Sequence, residues 1–150
     1  MKLIGLRFFT IYGKFGRPDM FIYKFLKSCL SNLTFQLNNY GDHKRDFTHI
    51  DDVSNIIKIL ILKKIREKYQ IFNVCSNKPI NLKLLISKIR EILKINNKIV
   101  KKKRHKADVL NTHGDNTMIK KYLKIGKFKS IIVEIKSIIN WYKDNKIHKY

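Results

Sequence analysis

The sequence predicts an α/β fold on two observations. Short apolar runs rich in β-branched and aromatic residues alternate along the chain with longer segments in which Leu and Ile recur at helical spacing. The first run, Leu3 to Tyr12, is almost unbroken apolar and aromatic, as in a strand buried on both faces of a parallel sheet. Such a strand demands neighbours, yet no strand or helix stands before it in these 150 residues.

The remaining elements follow in order. Gly13-Lys14-Phe15-Gly16-Arg17-Pro18 reads as a loop, and Pro18 with Asp19 can open a helix running to about Leu30. Thr34 to Leu37 suits a short strand before the turn-rich Asn38-Asn39-Tyr40-Gly41-Asp42. Asp46 to Ile50 is a second buried-looking segment; Asp51 and Asp52 after it can cap and charge-match a helix over Val53 to Lys64. Tyr69 to Cys75 is strand-like, and Asn81 can cap an amphipathic helix with Leu82, Leu85, Ile86, Ile89 and Leu93 on one stripe. The basic segment Asn96 to Lys106 is the best linker candidate. Val109 to Thr112 reads as extended, Asp115 can cap a short helix through Leu123, and Ser130 can cap a last helix carrying Ile131, Ile135, Ile138, Ile139 and Tyr142. No internal repeat is visible.

Length and composition narrow the function classes. At 150 residues and 44% hydrophobic content the chain suits one globular domain. Its longest apolar stretches, such as Ile56 to Leu62, are broken by Lys well short of the ~20 residues a bilayer crossing needs. Arg7 interrupts the amino-terminal run and no small-residue cleavage site follows, so the expected location is cytoplasmic. Cys29 and Cys75 are far apart, and His43, His49, His105, His113 and His148 show no metal-ligand pairing; neither a disulfide framework nor a metal site is expected. The formal charge of +22 raises nucleic acid or an anionic surface as a partner. Against that, 27 of the 33 basic residues are Lys, Ile and Asn are abundant, and Ala occurs once, at Ala107. That pattern fits A/T-rich codon usage, and only Lys101-Lys102-Lys103-Arg104 is dense enough to suggest a patch. No specific nucleic-acid partner is expected.

Gly5-Leu6-Arg7-Phe8-Phe9-Thr10-Ile11-Tyr12-Gly13, followed by Gly16-Arg17-Pro18-Asp19-Met20, resembles the extended short-chain dehydrogenase/reductase family in its UDP-glucuronate 4-epimerase branch. The resemblance continues in order through Tyr40-Gly41, Arg45-Asp46-Phe47-Thr48-His49-Ile50-Asp51-Asp52-Val53, Phe72-Asn73-Val74, Asp108-Val109, Thr112 and Asp115. It closes at Trp141-Tyr142-Lys143, so it covers essentially the whole chain. It implies a partial Rossmann-type fold, the last sheet strand or strands plus the smaller substrate-binding domain. In this family an amino-terminal domain holds NAD, and a Tyr assisted by a Lys four residues on removes the sugar 4-hydroxyl proton while hydride passes to NAD and returns to the other face. These residues contain no Gly-x-x-Gly-x-x-Gly loop, whose backbone donors would meet a pyrophosphate. Tyr23 and Lys27 match the Tyr-x-x-x-Lys spacing, but their register lies past the catalytic helix. The amino-terminal NAD-binding half is therefore expected to be absent, and no catalytic residue is assigned. NAD is the cofactor of the full-length family and is not expected to bind this chain alone.

For the substrate, the resemblance implies that Thr10 and Arg17 contact a uronate carboxylate, that Arg45 contacts a diphosphate with Lys27 as a second cation, and that Asp108 holds the ribose hydroxyls. Arg suits both anions because its planar fork donates two parallel hydrogen bonds, and a carboxylate can accept both hydrogens of a diol. The plainer alternatives are a strand-end Thr10, a surface Arg17, an Arg45 salt-bridged to Asp46, Asp51 or Asp52, a solvated Lys27 and a turn acid at Asp108. Lys106-Ala107 stand where the family usually has Pro-Gly, and the aromatic residue expected near Asn38 is missing. The expected function is the UDP-glucuronate or UDP-galacturonate-binding portion of a 4-epimerase, inactive without a cofactor half that a separate reading frame could encode. The alternatives are a basic nucleic-acid or anionic-surface module and a non-functional remnant.

Overall fold

The computed structural model describes residues 1–65, 68–106 and 108–147. Strand β1 (Leu3–Phe8) pairs in parallel with β5 (Tyr69–Val74), in a register from Leu3 opposite Tyr69 to Phe8 opposite Val74. The N–H of Phe9 still reaches the Val74 carbonyl at 3.4 Å. The chain then changes sheets: β2 (Thr10–Tyr12) pairs in parallel with β4 (Lys44–His49), which pairs antiparallel with β6 (Pro79–Asn81). β3 (Phe35–Leu37) pairs in parallel with β7 (Ile99–Lys101).

The single strand expected over Leu3 to Tyr12 is thus two strands in two sheets. Both halves have strand-forming residues, so the break is set by which partners the chain meets. Double burial is also not seen in β1, whose described neighbour is β5 alone and whose Leu3 and Phe8 are 49% and 46% exposed.

Helix α1 (Phe21–Leu30) starts later than Pro18, because Arg17 to Met20 close a turn in which Met20 N–H donates to the Arg17 carbonyl. Helix α2 (Ile50–Leu62) is capped by His49, whose Nδ1 accepts the Asp51 N–H at 3.1 Å. Asp51 and Asp52 sit inside its first turn, where they complement the dipole without capping. Helix α3 (Leu82–Leu93) is capped by Asn81 as expected. The segment expected as a linker contains β7, whose last residue is Lys101. Buried Asn97 anchors it, accepting from the Cys29 thiol at 3.3 Å and donating to Ser28 Oγ at 3.0 Å.

Asp115 takes the N–H of Thr117 at the start of α4 (Thr117–Leu123). Ser130 occupies the cap position of α5 (Ile131–Asp144) without a side-chain cap bond.

Two cores result. One joins α1, α3 and α5 to β3 and β4 through Phe25, Leu26, Phe35, Phe47, Leu85, Ile89 and Ile135; the other joins α2, α4 and β5 through Val53, Ile56, Phe72, Val74 and Ile119. Each fully buried aliphatic or aromatic side chain contributes roughly 1.5–3 kcal/mol. The chain passes between the two cores from β1 to β2, where Thr10 opens β2, and from β4 to α2.

Candidate functional site

A cleft of about 390 Å³ opens on the first core, within the size range of small-molecule sites. Its apolar wall comes from Phe21 of α1, Phe35 and Leu37 of β3, Phe47 of β4 and Leu82 of α3. Phe35 stands edge-on to Phe21 and Phe25, with ring centres 5.9 and 5.0 Å away, which fixes its ring as a rigid surface. Polar groups reach the same cleft from Thr10, Asp19, Lys24, Gln36, Asn38, His43, Arg45 and Asp108.

Arg45 and Asp108, 63 residues apart, meet at 3.0 Å between Nη2 and Oδ1. Nη1 of the same guanidinium donates to the carbonyls of Lys44 at 3.0 Å and Leu110 at 2.9 Å. Three of the five N–H donors of an Arg are therefore engaged, two of them on the incoming loop and one on Lys44 of β4, which leaves two. The salt bridge weighed for Arg45 in the sequence exists, but with Asp108 and not with Asp46, Asp51 or Asp52. His43 lies on the other side of that carboxylate, Nε2 at 3.2 Å from Oδ2. Burial pushes its imidazole below the ordinary value of 6.5; Asp108 opposes that shift, and Arg45 and Arg104 reinforce it.

Asp46 faces away from Arg45. It is fully buried, accepting the N–H of Ser76 (3.0 Å), of Asn77 (3.1 Å) and of Gly114 (3.2 Å) and the Ser76 hydroxyl (2.6 Å). Its own N–H donates to Thr112 Oγ1, and Thr112 N–H donates to the Lys44 carbonyl. These bonds tie the 108–114 segment along β4 and so place Asp108 beside Arg45.

Of the five residues expected from the sequence, Thr10, Arg45 and Asp108 line this one cleft. Arg17 does not. It lines a neighbouring, largely apolar recess of about 510 Å³ with Phe9, Tyr12 and Phe15, and Met20 borders both hollows. Its guanidinium grips Asp19 with two bonds, Nε to Oδ1 at 3.0 Å and Nη2 to Oδ2 at 2.5 Å. The pair raises the Arg17 pKa and lowers that of Asp19. Lys27 is half-buried on α1 and does not line the cleft; Lys24, one turn nearer the helix start, does. The buried stripe Ile22, Tyr23, Phe25, Leu26 and Cys29 leaves Lys24 on the free face, a signal the sequence carried. Phe21, Phe35 and His43 had no such signal, since their places follow from how β3 and the turn before β4 pack.

Tyr23 does not face this cleft. Its hydroxyl donates to the Gly13 carbonyl and accepts from Gly16 N–H at 3.2 Å, and its ring packs against Trp141 and Tyr142. A Cβ on Gly16 would come within 2.3 Å of that ring, so the loop closes this way only with Gly there. Among the described residues no cluster could hold a metal ion, and no helix is long and apolar enough to cross a membrane. His148 and Ala107 lie outside the described residues.

The parallel pairing of β1 with β5 and of β2 with β4, with helices following strands, is a Rossmann-type α/β arrangement. The family model for the NAD dependent epimerase/dehydratase family matches residues 1–75, and the chain belongs to that family. A Methanocaldococcus jannaschii protein of uncharacterised function is 40% identical over 149 residues, which is 97% of this chain and 44% of that protein. The UDP-glucuronate 4-epimerase of Thermodesulfobacterium geofontis is 35% identical over 141 residues, 93% of this chain and 43% of that enzyme. Among solved structures, MoeE5 in complex with UDP-glucuronic acid and NAD superposes with a TM-score of 0.90 at 23% identity, covering 96% of this chain and 48% of that one. The chain thus spans about half the length of the relatives it matches.

Proposed function

We propose that this chain is the nucleotide-sugar-binding portion of a 4-epimerase acting on UDP-glucuronate and UDP-galacturonate, with proton and hydride transfer belonging to a cofactor half outside these 150 residues. The observation that carries the reading is the convergence of Thr10, Arg45 and Asp108, from three distant segments, on one cleft with an aromatic wall. Arg45 offers its two remaining N–H donors to the diphosphate, with Lys24 on the rim. Lys27, further along the same helix, adds longer-range positive potential. Asp108 accepts from the ribose hydroxyls, and Phe21 and Phe35 give the uracil ring a flat apolar surface in place of the aromatic residue missing near Asn38.

Thr10 and Arg17 take the uronate carboxylate. Arg17 already holds a carboxylate, that of Asp19, in a two-pronged grip, so the sugar exchanges one such partner for another.

Three of the helix starts are unsuited to the pyrophosphate of NAD. Helix α2 begins with Asp51 and Asp52, α5 has Glu134 in its first turn, and Asn81 occupies the start of α3, so these helix ends do not suit a pyrophosphate. No hydride step is assigned to this chain. The cofactor half, on this polypeptide or a separately encoded one, pairs with the open edge of β1. It covers Leu3 and Phe8 there and Ile61 and Leu62 of α2, the last two each 76% exposed.

Calorimetric titration tests the reading. The chain is expected to bind UDP-glucuronate without NAD and to show no saturable binding of NAD alone. Failure to bind the UDP-sugar, or epimerisation by this chain alone with stoichiometric NAD, would overturn it.

A further inference from the structure

His43 is among the most deeply buried polar side chains of the protein, 3% exposed, in the turn between Gly41 and β4. Its carbonyl accepts the Leu82 N–H at 3.0 Å, which ties the residue to the first turn of α3. Its Nε2 is buried and, among the described residues, has no well-aligned hydrogen-bond partner. The acceptor within reach is Asp108 Oδ2 at 3.2 Å, which contacts Nε2 without forming an aligned hydrogen bond. An unsatisfied buried polar atom is costly, so a native protein that keeps one next to a ligand cleft calls for an explanation.

The charged groups around it define what it can do. Asp108 and Arg45 face it across the cleft, and Arg104 from the loop after β7 and Asp42 from the preceding turn complete its electrostatic surroundings. Arg45 holds Asp108 Oδ1, leaving Oδ2 to His43. A carboxylate has about four lone-pair sites. Arg45 uses one of them; were His43 to take a second, two would remain, and holding the group at both oxygens would fix the direction in which those two point.

We propose that His43 is a positioning residue for the nucleotide sugar: its Nε2–H and the Arg45 guanidinium hold Asp108 between them so that its free lone pairs meet a vicinal diol, which makes the cleft selective for ribonucleotides over deoxyribonucleotides. This rests on the nucleotide-sugar reading of the same cleft. Accepting from the two hydroxyls turns the carboxylate, and that turn brings Oδ2 into line with the buried imidazole N–H, so the orphan donor is satisfied in the bound state. A nucleotide lacking the 2′-hydroxyl gives Asp108 one partner instead of two and loses this alignment. The imidazole is the neutral Nε2–H tautomer in this arrangement, with burial disfavouring its charged form.

The test titrates UDP and 2′-deoxy-UDP into the full chain and into His43→Phe and His43→Gln. The wild-type chain is expected to prefer UDP by about tenfold, the effect of one good hydrogen bond. His43→Phe, which keeps a flat ring and removes the N–H, should weaken UDP by about tenfold, leave 2′-deoxy-UDP almost unchanged, and bring the ratio near one. His43→Gln can return an N–H to the same place and should restore most of the preference.

A preference that survives in folded His43→Phe overturns the proposal, as does a wild-type chain that binds both nucleotides equally. A wild-type chain that binds neither removes the nucleotide-sugar reading and this inference with it, whereas binding with an unaltered ratio removes only the inference. If neither variant folds, the ¹⁵N resonances of His43 in the wild-type chain decide: UDP should shift the Nε2–H signal and 2′-deoxy-UDP should not, and identical responses to the two overturn it.

Discussion

Replacing Asp46 with Asn tests the idea that one buried carboxylate sets the geometry of the cleft without touching a ligand. The substitution keeps the shape of the side chain. It turns one of two acceptor oxygens into a donor amide, in a site where all four partners are neutral donors. If the remaining oxygen keeps Ser76 N–H and hydroxyl, then the N–H groups of Asn77 and Gly114 lose their acceptor and face an NH₂ group. Hydrogen bonds to a charged group are worth about 1.5–3 kcal/mol each, so the loss is about 3–6 kcal/mol. For a chain of this length that lowers the melting temperature by roughly 10 °C or more, out of a total stability of about 5–15 kcal/mol. Urea unfolding followed by circular dichroism measures the loss, and hydrogen exchange should show the Gly114 amide freed in step with it. A destabilisation under about 1 kcal/mol, well below one charge-assisted bond, would refute the assignment of Asp46 as the clamp on the 108–114 segment.

Two further outcomes follow from the same geometry. Arg45→Lys keeps the charge but cannot serve the Lys44 and Leu110 carbonyls, Asp108 and a phosphate at once, so calorimetry should show UDP affinity reduced by about 10- to 100-fold; a loss under about threefold would show that charge alone matters there. The buried thiols of Cys29 and Cys75 are pushed up, chiefly by burial, from 9.0 to about 11 and about 12. Unfolded thiols therefore ionise first, and their contribution to stability, complete below pH 9, is lost as pH rises from 9 toward 11, with a slope of at most about 1.4 kcal/mol per pH unit per thiol. The Cys29→Ala, Cys75→Ala double variant should show a flatter decline in urea midpoint between pH 9 and 10.5 than the wild-type chain, and parallel declines would contradict the assignment.

The elements with strong local signals were legible: α3 with its Asn81 cap and its stripe of Leu82, Leu85, Ile86 and Ile89, and α5 with its apolar face. What the sequence hid was set by long-range pairing. Nothing beside Phe9 marks it as the place where the chain leaves one sheet for another, because the residues from Phe8 to Tyr12 are all at ease in a strand. The lysine run after Ile99 looks like a solvated tether, yet its backbone pairs with β3 because Asn97 pins its start between Ser28 and Cys29. In the cleft, Thr10, Arg45 and Asp108 were legible through the family resemblance. Lys24 was legible in principle from the helical stripe. His43 was not, because its burial depends on the packing of the turn over α3, which no local pattern encodes.

The cations of the cleft are not waiting in isolation. Arg45 is paired with Asp108 in the cleft and Arg17 with Asp19 at the neighbouring recess, so under the proposed function a diphosphosugar would compete with internal carboxylates and its affinity would be a difference between two well-made sets of contacts. That arrangement separates recognition from net charge. A chain at +22 attracts any anion at low salt, but a generic phosphate meets forks already engaged and a carboxylate beside them that repels it. An acidic nucleotide sugar offers Asp108 a diol in the same event in which it offers Arg45 a phosphate. Under the proposed function, selectivity in this cleft would come from carboxylates set among the cations, with the many surface lysines adding encounter rate and no discrimination.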